Sequence, residues 1–191
     1  MSWLLGLLNP AARAAARDRE RRIQALHADV AALRDAKAAD ATAFDRVRGR
    51  PADLGLAPED VELEMEWLDG LQEAAVLRRA IEGGEALPVV ATSHRAVAGD
   101  RCHFVASASR PDDAHDRGGK LFLTERRLLY LGDPSIGVGW PHVVAVASSD
   151  RDVVVRARSD RLLRFRCNSY SDALRCVVIA SRLLPALTTT P

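Results

Sequence analysis

From Ala11 to Arg48 the chain is rich in Ala, Arg, Asp and Glu and contains no Pro or Gly, which predicts one long helix ended by Gly49-Arg50-Pro51. With Ile23, Val30 and Phe44 at the first heptad position, Leu26, Leu33 and Val47 fall at the fourth. Lys37 and Asp40 interrupt this seam. It therefore reads equally as a weak coiled coil between two copies and as packing against another helix of the same chain. A second helix is expected from Pro58, with Glu59, Asp60 and Glu62 set favourably against the helix dipole and Gly83-Gly84 closing it. Its buried stripe is Val61, Met65, Leu68, Leu71 and Ala75, with Trp67 in the core and a bend or break at Asp69-Gly70.

After Leu87-Pro88 the pattern changes to short apolar runs divided by Gly, Pro, Asp and Ser, the signature of strands. These predict strands over 101–109, 119–124, 127–131, 136–140, 142–148, 152–158 and 162–167. Tyr170 to Leu184 returns to helical spacing, with Ser169 as N-cap and Pro185 as terminator. Seven strands and one amphipathic helix describe a barrel closed at one end, folding independently from about Val97–Gly99. The fold class is thus α+β, a helical amino-terminal half followed by a barrel capped by a carboxy-terminal helix.

The 191 residues are 48% hydrophobic and 28% charged, which fits a folded globular protein, and no apolar run approaches the length of a membrane span. All but Lys37 and Lys120 of the 27 basic residues are Arg. That skew, with abundant Ala, fits a GC-rich genome and is not a nucleic-acid signal. Charge divides the chain into three segments, with net +4 over 1–50, −8 over 51–90 and +5 over 91–191. The expected organisation follows: a helical segment with a weak heptad seam, an acidic helical segment with linker, and the barrel. Cys102, Cys167 and Cys176 show no paired short spacing, so neither a disulfide framework nor a metal clip is indicated and a cytoplasmic location is expected.

The run Gly119-Lys-Leu-Phe-Leu-Thr-Glu-Arg-Arg-Leu-Leu-Tyr-Leu131 resembles the second and third strands of bacterial PH-like and GRAM-like domains, where a Thr-Asp-Arg-Arg type of turn joins two apolar strands. The resemblance continues through Trp140-Pro-His-Val-Val-Ala-Val146, a hairpin at Ser159-Asp160 and the Tyr170–Leu184 helix, and covers about residues 99–185. It implies a PH-like barrel and leaves the ligand open, because such domains share a shape and differ in what they bind. Eukaryotic members hold phosphoinositides with Lys and Arg on the first two strands and their loop. Here that loop carries Asp112, Asp113 and Asp116 beside Arg110 and Arg117. A multiply charged phosphate would meet carboxylates, so specific phosphoinositide binding is not expected.

His27, His94, His103, His115 and His142 stand at no ligand spacing, and adjacent Cys102 and His103 point to opposite faces of a strand, a buried thiol and an exposed imidazole. Gly137-Val-Gly139 opens no helix and reads as a turn, and no Ser sits in a nucleophile elbow. No catalytic residue, metal or cofactor is assigned, and the chain is not expected to be an enzyme. The candidate surface is the hairpin from Asp152 to Cys167. If Arg158 pairs with Leu162, then Val153, Val155, Ala157, Leu163, Phe165 and Cys167 face inward and Arg156, Arg158, Arg164 and Arg166 share the outer face. Four close Arg repel unless they are solvated or matched by an acidic partner, for which the Glu62, Glu64 and Glu66 region of the same chain is a candidate.

Trp3, Leu4 and Leu5, followed by Arg13 to Arg22, offer a second candidate for self-association or for weak contact with an anionic membrane. The same assignment of self-association covers Ile23, Leu26, Val30 and Leu33. The expected function is a non-catalytic binding or scaffolding module that works through protein–protein contact or self-association. The alternative is a peripheral membrane protein using the amino-terminal segment and the basic barrel surface.

Overall fold

The computed structural model describes residues 10–35 and 40–184. Among the described residues, α-helices and strands follow the order α1 (Pro10–Asp35), α2 (Ala41–Asp53), α3 (Glu62–Glu82), β1 (Cys102–Ser109), β2 (Gly119–Thr124), β3 (Arg127–Leu131), β4 (Ile136–Gly139), β5 (Val143–Ser149), β6 (Asp152–Ala157), β7 (Leu162–Cys167) and α4 (Tyr170–Leu183). Two compact units divide the chain, one up to Gln72 and one from Glu73. The division falls inside α3, whereas the sequence pattern drew boundaries at 50 and 90.

The single helix expected over 11–48 is two helices. Asp40 is the N-cap of α2, its carboxylate accepting from the Ala43 backbone N–H at 2.9 Å, so a charge that looked like a flaw in the seam starts a new helix. Nor does Gly49-Arg50-Pro51 end α2. Pro51 lies within its last turn, and the stop is made by Gly55 at φ 60, whose N–H donates to the Ala52 carbonyl while that of Leu56 donates to Pro51. This left-handed closure suits Gly, which has no Cβ to clash. Leu26, Val30, Phe44, Val47, Leu56, Val61, Trp67, Leu68 and Leu71 are buried, while Ile23 and Leu33 of the seam are only partly covered.

Within the amino-terminal unit the acidic residues of the middle segment find their cations in the first segment. Arg19 pairs with Asp60, Arg48 lies 2.7 Å from Asp69, and the His27 ring is 3.7 Å from Glu64 and stacks on Trp67 at 5.0 Å. α3 runs unbroken through Asp69-Gly70, where buried Gly70 presents no side chain to the packed face. Gly83-Gly84 closes α3 as expected, with Gly84 at φ 94.

In the second unit all seven strands form one antiparallel sheet in the order β4-β3-β2-β1-β7-β6-β5, a PH-like arrangement with α4 packed against β5, β6, β1, β7 and β2. The seven predicted strands match the observed ones to within two residues at each end. Gly137-Val-Gly139 lies in β4 at the edge of the sheet, which bears out the strand expected over 136–140 and not the reading of these residues as a turn. The core gathers Phe104, Leu121, Leu123, Leu128, Tyr130, Val153, Val155 and Phe165 against Cys176 and Ile179 of α4. Ser169 caps α4 by accepting from the Asp172 N–H at 3.0 Å. Trp140 is pinned inside, its indole N–H donating to the Thr124 carbonyl at 2.8 Å. The Thr124 hydroxyl in turn receives the Arg126 and Arg127 N–H groups, which makes the turn between β2 and β3.

The barrel unit starts earlier than Val97–Gly99. Val97 joins Cys102, Phe122 and Leu129 in a second apolar cluster, with Val90 and Ala96 packed against it. The Val90 N–H donates to the Cys102 carbonyl, and the Arg127 guanidinium donates to the Ala96 carbonyl at 3.0 Å. Phe122 and Leu129 alternate with core-facing Leu121, Leu123, Leu128 and Tyr130, so this cluster lies on the opposite face of the strands. The segment 87–97 is its cover. The same cover corrects the expectation for His103, which is buried at 5% exposure with its Nδ1–H donating to the Pro88 carbonyl at 2.8 Å.

Candidate functional site

The outer face of the β6–β7 hairpin is built by strand alternation. Val153, Val155, Leu163 and Phe165 fill the core, which leaves Asp152, Val154, Arg156, Arg164 and Arg166 on the other face. The register differs from the expected one, because Arg156, not Arg158, stands opposite Leu162. The loop is Arg158-Ser159-Asp160, with Asp160 at φ 57, and the Ala157 N–H donates to Arg161 across it at 2.9 Å. A three-residue loop ending in a left-handed residue fits the strand twist. The shift is two positions in pairing sum, so the strand side chains keep the faces assigned from sequence, while Arg158, expected in the ladder, falls in the loop.

The acidic match for Arg164 and Arg166 comes from the neighbouring strand of the same hairpin. Asp152 is buried at 2% exposure, and Arg166 Nε donates to its Oδ1 at 2.7 Å while Arg164 Nε donates to its Oδ2 at 2.8 Å. The Arg166 guanidinium holds the Asp152 carboxyl below the usual carboxylate range, outweighing the burial that opposes it, and Arg164 adds to the effect. Arg164 also reaches Asp112 at 3.3 Å in the loop between β1 and β2. Arg158 ties the hairpin to the 3-10 turn Trp140–His142, its Nε donating to the Pro141 carbonyl at 2.7 Å and its N–H to the His142 carbonyl. Among the described residues the Arg156 side chain has no hydrogen-bond or ion-pair partner, and Leu162 directly opposite it is 65% exposed.

The loop between β1 and β2 is folded on its own carboxylates. Asp116 accepts from the Tyr130 hydroxyl at 2.7 Å and from the Arg110 and Gly118 N–H groups. Burial raises its carboxyl pKa, and these donors together pull it below the usual value. Arg110 lies 2.8 Å from Asp113. Of the two cations in this loop, Arg110 is thus engaged by an acid of the same loop, while Lys120 on β2 donates to the Ser107 hydroxyl at 3.2 Å.

The thiols are buried. Burial pushes Cys167 up to about 12 and raises Cys102 and Cys176 as well, so all three are held as unreactive thiols at neutral pH. Among the described residues no three His, Cys, Asp or Glu side chains gather as for a metal ion, and no helix is long and apolar enough to cross a membrane.

Of the other residues singled out from sequence, Leu26 and Val30 are fully buried in the amino-terminal unit and Ile23 and Leu33 partly so. Trp3, Leu4 and Leu5 lie outside the described residues. Sequence reasoning missed Asp152, although a carboxylate at the outward phase of a strand, directly across from Arg166, marks a cross-strand pair once the register is known. It missed the role of Asp116 because the donors come from distant positions.

Compared with protein families and with curated proteins, the sequence matches none. Among solved structures it is similar to the C-terminal domain of an unknown protein from Leishmania infantum, at 13% identity and a TM-score of 0.41, over 47% of this chain and 90% of that one. It is also similar to the N-terminally truncated linker-DH/PH domains of p115-RhoGEF, at 8% identity and a TM-score of 0.39, over 85% of this chain and 54% of that one. The fold description rests on the strand order and cross-strand registers given above.

Proposed function

We propose that the chain is a non-catalytic protein-interaction module, a PH-like barrel of the bacterial GRAM-like kind that presents the outer face of its β6–β7 hairpin to an acidic protein segment. The observation that carries this reading is the arginine face itself. Asp152 and Asp112 fix Arg164 and Arg166 in place, and Arg158 is anchored to the Pro141 carbonyl, while Arg156 stays available. Preorganised guanidinium groups suit recognition of carboxylates, because less side-chain freedom is lost on binding.

Fluorescence anisotropy with a labelled glutamate-rich peptide tests it. The full chain should bind with an affinity that falls as salt rises, and Arg156→Glu should weaken binding several-fold without lowering the melting temperature. Equal binding by the parent and the variant removes the hairpin from the function. Sedimentation with anionic and neutral vesicles at low and high salt separates this reading from a membrane role, since a protein-binding face leaves the protein in the supernatant with both.

A further inference from the structure

We infer that the free edge of β5 is a self-association site, where the strand pairs antiparallel with β5 of a second copy of this chain. β5 ends the sheet and pairs only with β6, and among the described residues no backbone hydrogen bond joins Val143–Ser149 to anything else. Alternate residues of an edge strand turn their N–H and C=O groups away from the sheet, and another extended backbone is what satisfies such a row. Proteins guard these edges with charged side chains, Pro or short strands. The opposite edge is guarded by length, since β4 has four residues, two of them Gly. β5 is not: its seven residues, Val-Val-Ala-Val-Ala-Ser-Ser, include no charge, no Pro and no Gly. A bulge between Val143 and Ala145 disturbs only its start, and Ala145 to Ser149 pair with β6 in unbroken register.

The side chains of this edge decide the occupant. A foreign peptide added to a sheet edge is selected by charges or pockets that read its alternate side chains. Here Ala145, Ala147 and Ser149 stand on the outer face, opposite Arg156, Val154 and Asp152, and Val146 and Ser148 stand on the core side, opposite Val155 and Val153. These are small, uncharged groups, and a second β5 brings the same set. A two-fold pairing over the regular stretch sets Ala147 against its own copy, Val146 against Ser148 and Ala145 against Ser149. No like charges are opposed, and no large side chain holds the strands apart. Val146, packed on the core but only half-buried, gains cover. The two Arg156 side chains, each one strand in from the edge, lie at least three strand spacings apart, about 14 Å, which exceeds the screening length at physiological salt.

Sedimentation velocity of the full chain over a concentration series gives the test. The average mass should rise from one chain toward two in the micromolar range or above, because a single strand pairing is a small interface. Ala147 is exposed, so Ala147→Lys and Ala147→Glu should melt with the parent. Each alone should remain a single chain at concentrations about tenfold above the parent's midpoint, since like charges then face each other across the two-fold. Mixed in equal amounts, the two variants should associate again, and Ala147→Ser should behave as the parent does. A parent mass that stays at one chain throughout, a mixture that fails to recover, or a dimer that survives both charged variants overturns the inference, the last by moving self-association to another surface.

Discussion

Asp152 shows how one side chain holds two like charges side by side on one face. Its carboxylate is buried on the strand that carries Arg156 and accepts from both Arg164 and Arg166 of the neighbouring strand, so hairpin closure neutralises the charge that would oppose it. Asp152→Asn keeps the shape but removes the charge and one acceptor. The two guanidinium groups remain about half exposed, which limits the loss to roughly 1–3 kcal/mol. The folded-state pKa is depressed, so this stabilisation is present above the ordinary Asp value of about 4 and disappears as pH falls through the lower folded value. Thermal melts should therefore show Asp152→Asn well below the parent at pH 7, with the gap shrinking below pH 4. A gap that stays constant down to pH 2.5 would mean that packing, and not charge, is what Asp152 supplies.

The amino-terminal helices depend on burial of a few aliphatic side chains from α1 and α2. Leu26 and Val30 are fully buried and Phe44 nearly so, while Ile23 and Leu33 of the same seam are only partly covered. Leu26→Asp with Val30→Asp places two unpaired carboxylates where no water reaches, at a cost of several kcal/mol. Circular dichroism melts should show loss of helical signal with the β-sheet signal retained; an unchanged melting temperature would exclude these residues from the core. The periodicity of α1 was readable because every third or fourth side chain must be buried. The break at Asp40 was not, since a capping carboxylate and a seam charge look alike until the backbone is seen to turn. Strands were legible to within two residues at each end, because alternation and turn residues are local. The hairpin register and the burial of His103 were not, because the first depends on which loop residue takes the left-handed conformation and the second on Pro88, fifteen positions away. Of the candidate site, the outward phase of Arg156, Arg164 and Arg166 followed from alternation alone, whereas Arg158 falls in the loop and the counter-charge to Arg164 and Arg166 lay on the strand across.

At the scale of the whole molecule, the unit that begins at Glu73 is larger than the barrel that strand patterns outline. Leu77 of α3 and Leu87 pack against the main core, and the segment through Val90 and Val97 covers Phe122, Leu129 and Cys102 on the opposite face of β1 to β3. His103 is satisfied by the Pro88 carbonyl of the same segment. Cutting the chain at Gly99 would leave every strand and α4 intact and still remove that cover. Each large apolar side chain fully uncovered costs about 1.5–3 kcal/mol, so losing the cover over Phe122 and Leu129 consumes a substantial part of the stability of a small domain. A fragment of residues 73–191 is therefore expected to unfold in one cooperative transition. One of residues 99–191 should melt at a clearly lower temperature and bind a dye specific for exposed apolar surface. Limited proteolysis of the full chain should spare 87–97 under native conditions, because its backbone is held at Val90 and Ala96. If instead the two fragments melt together and neither binds the dye, the segment is an ornament on a self-sufficient barrel, and the unit begins where the first strand does.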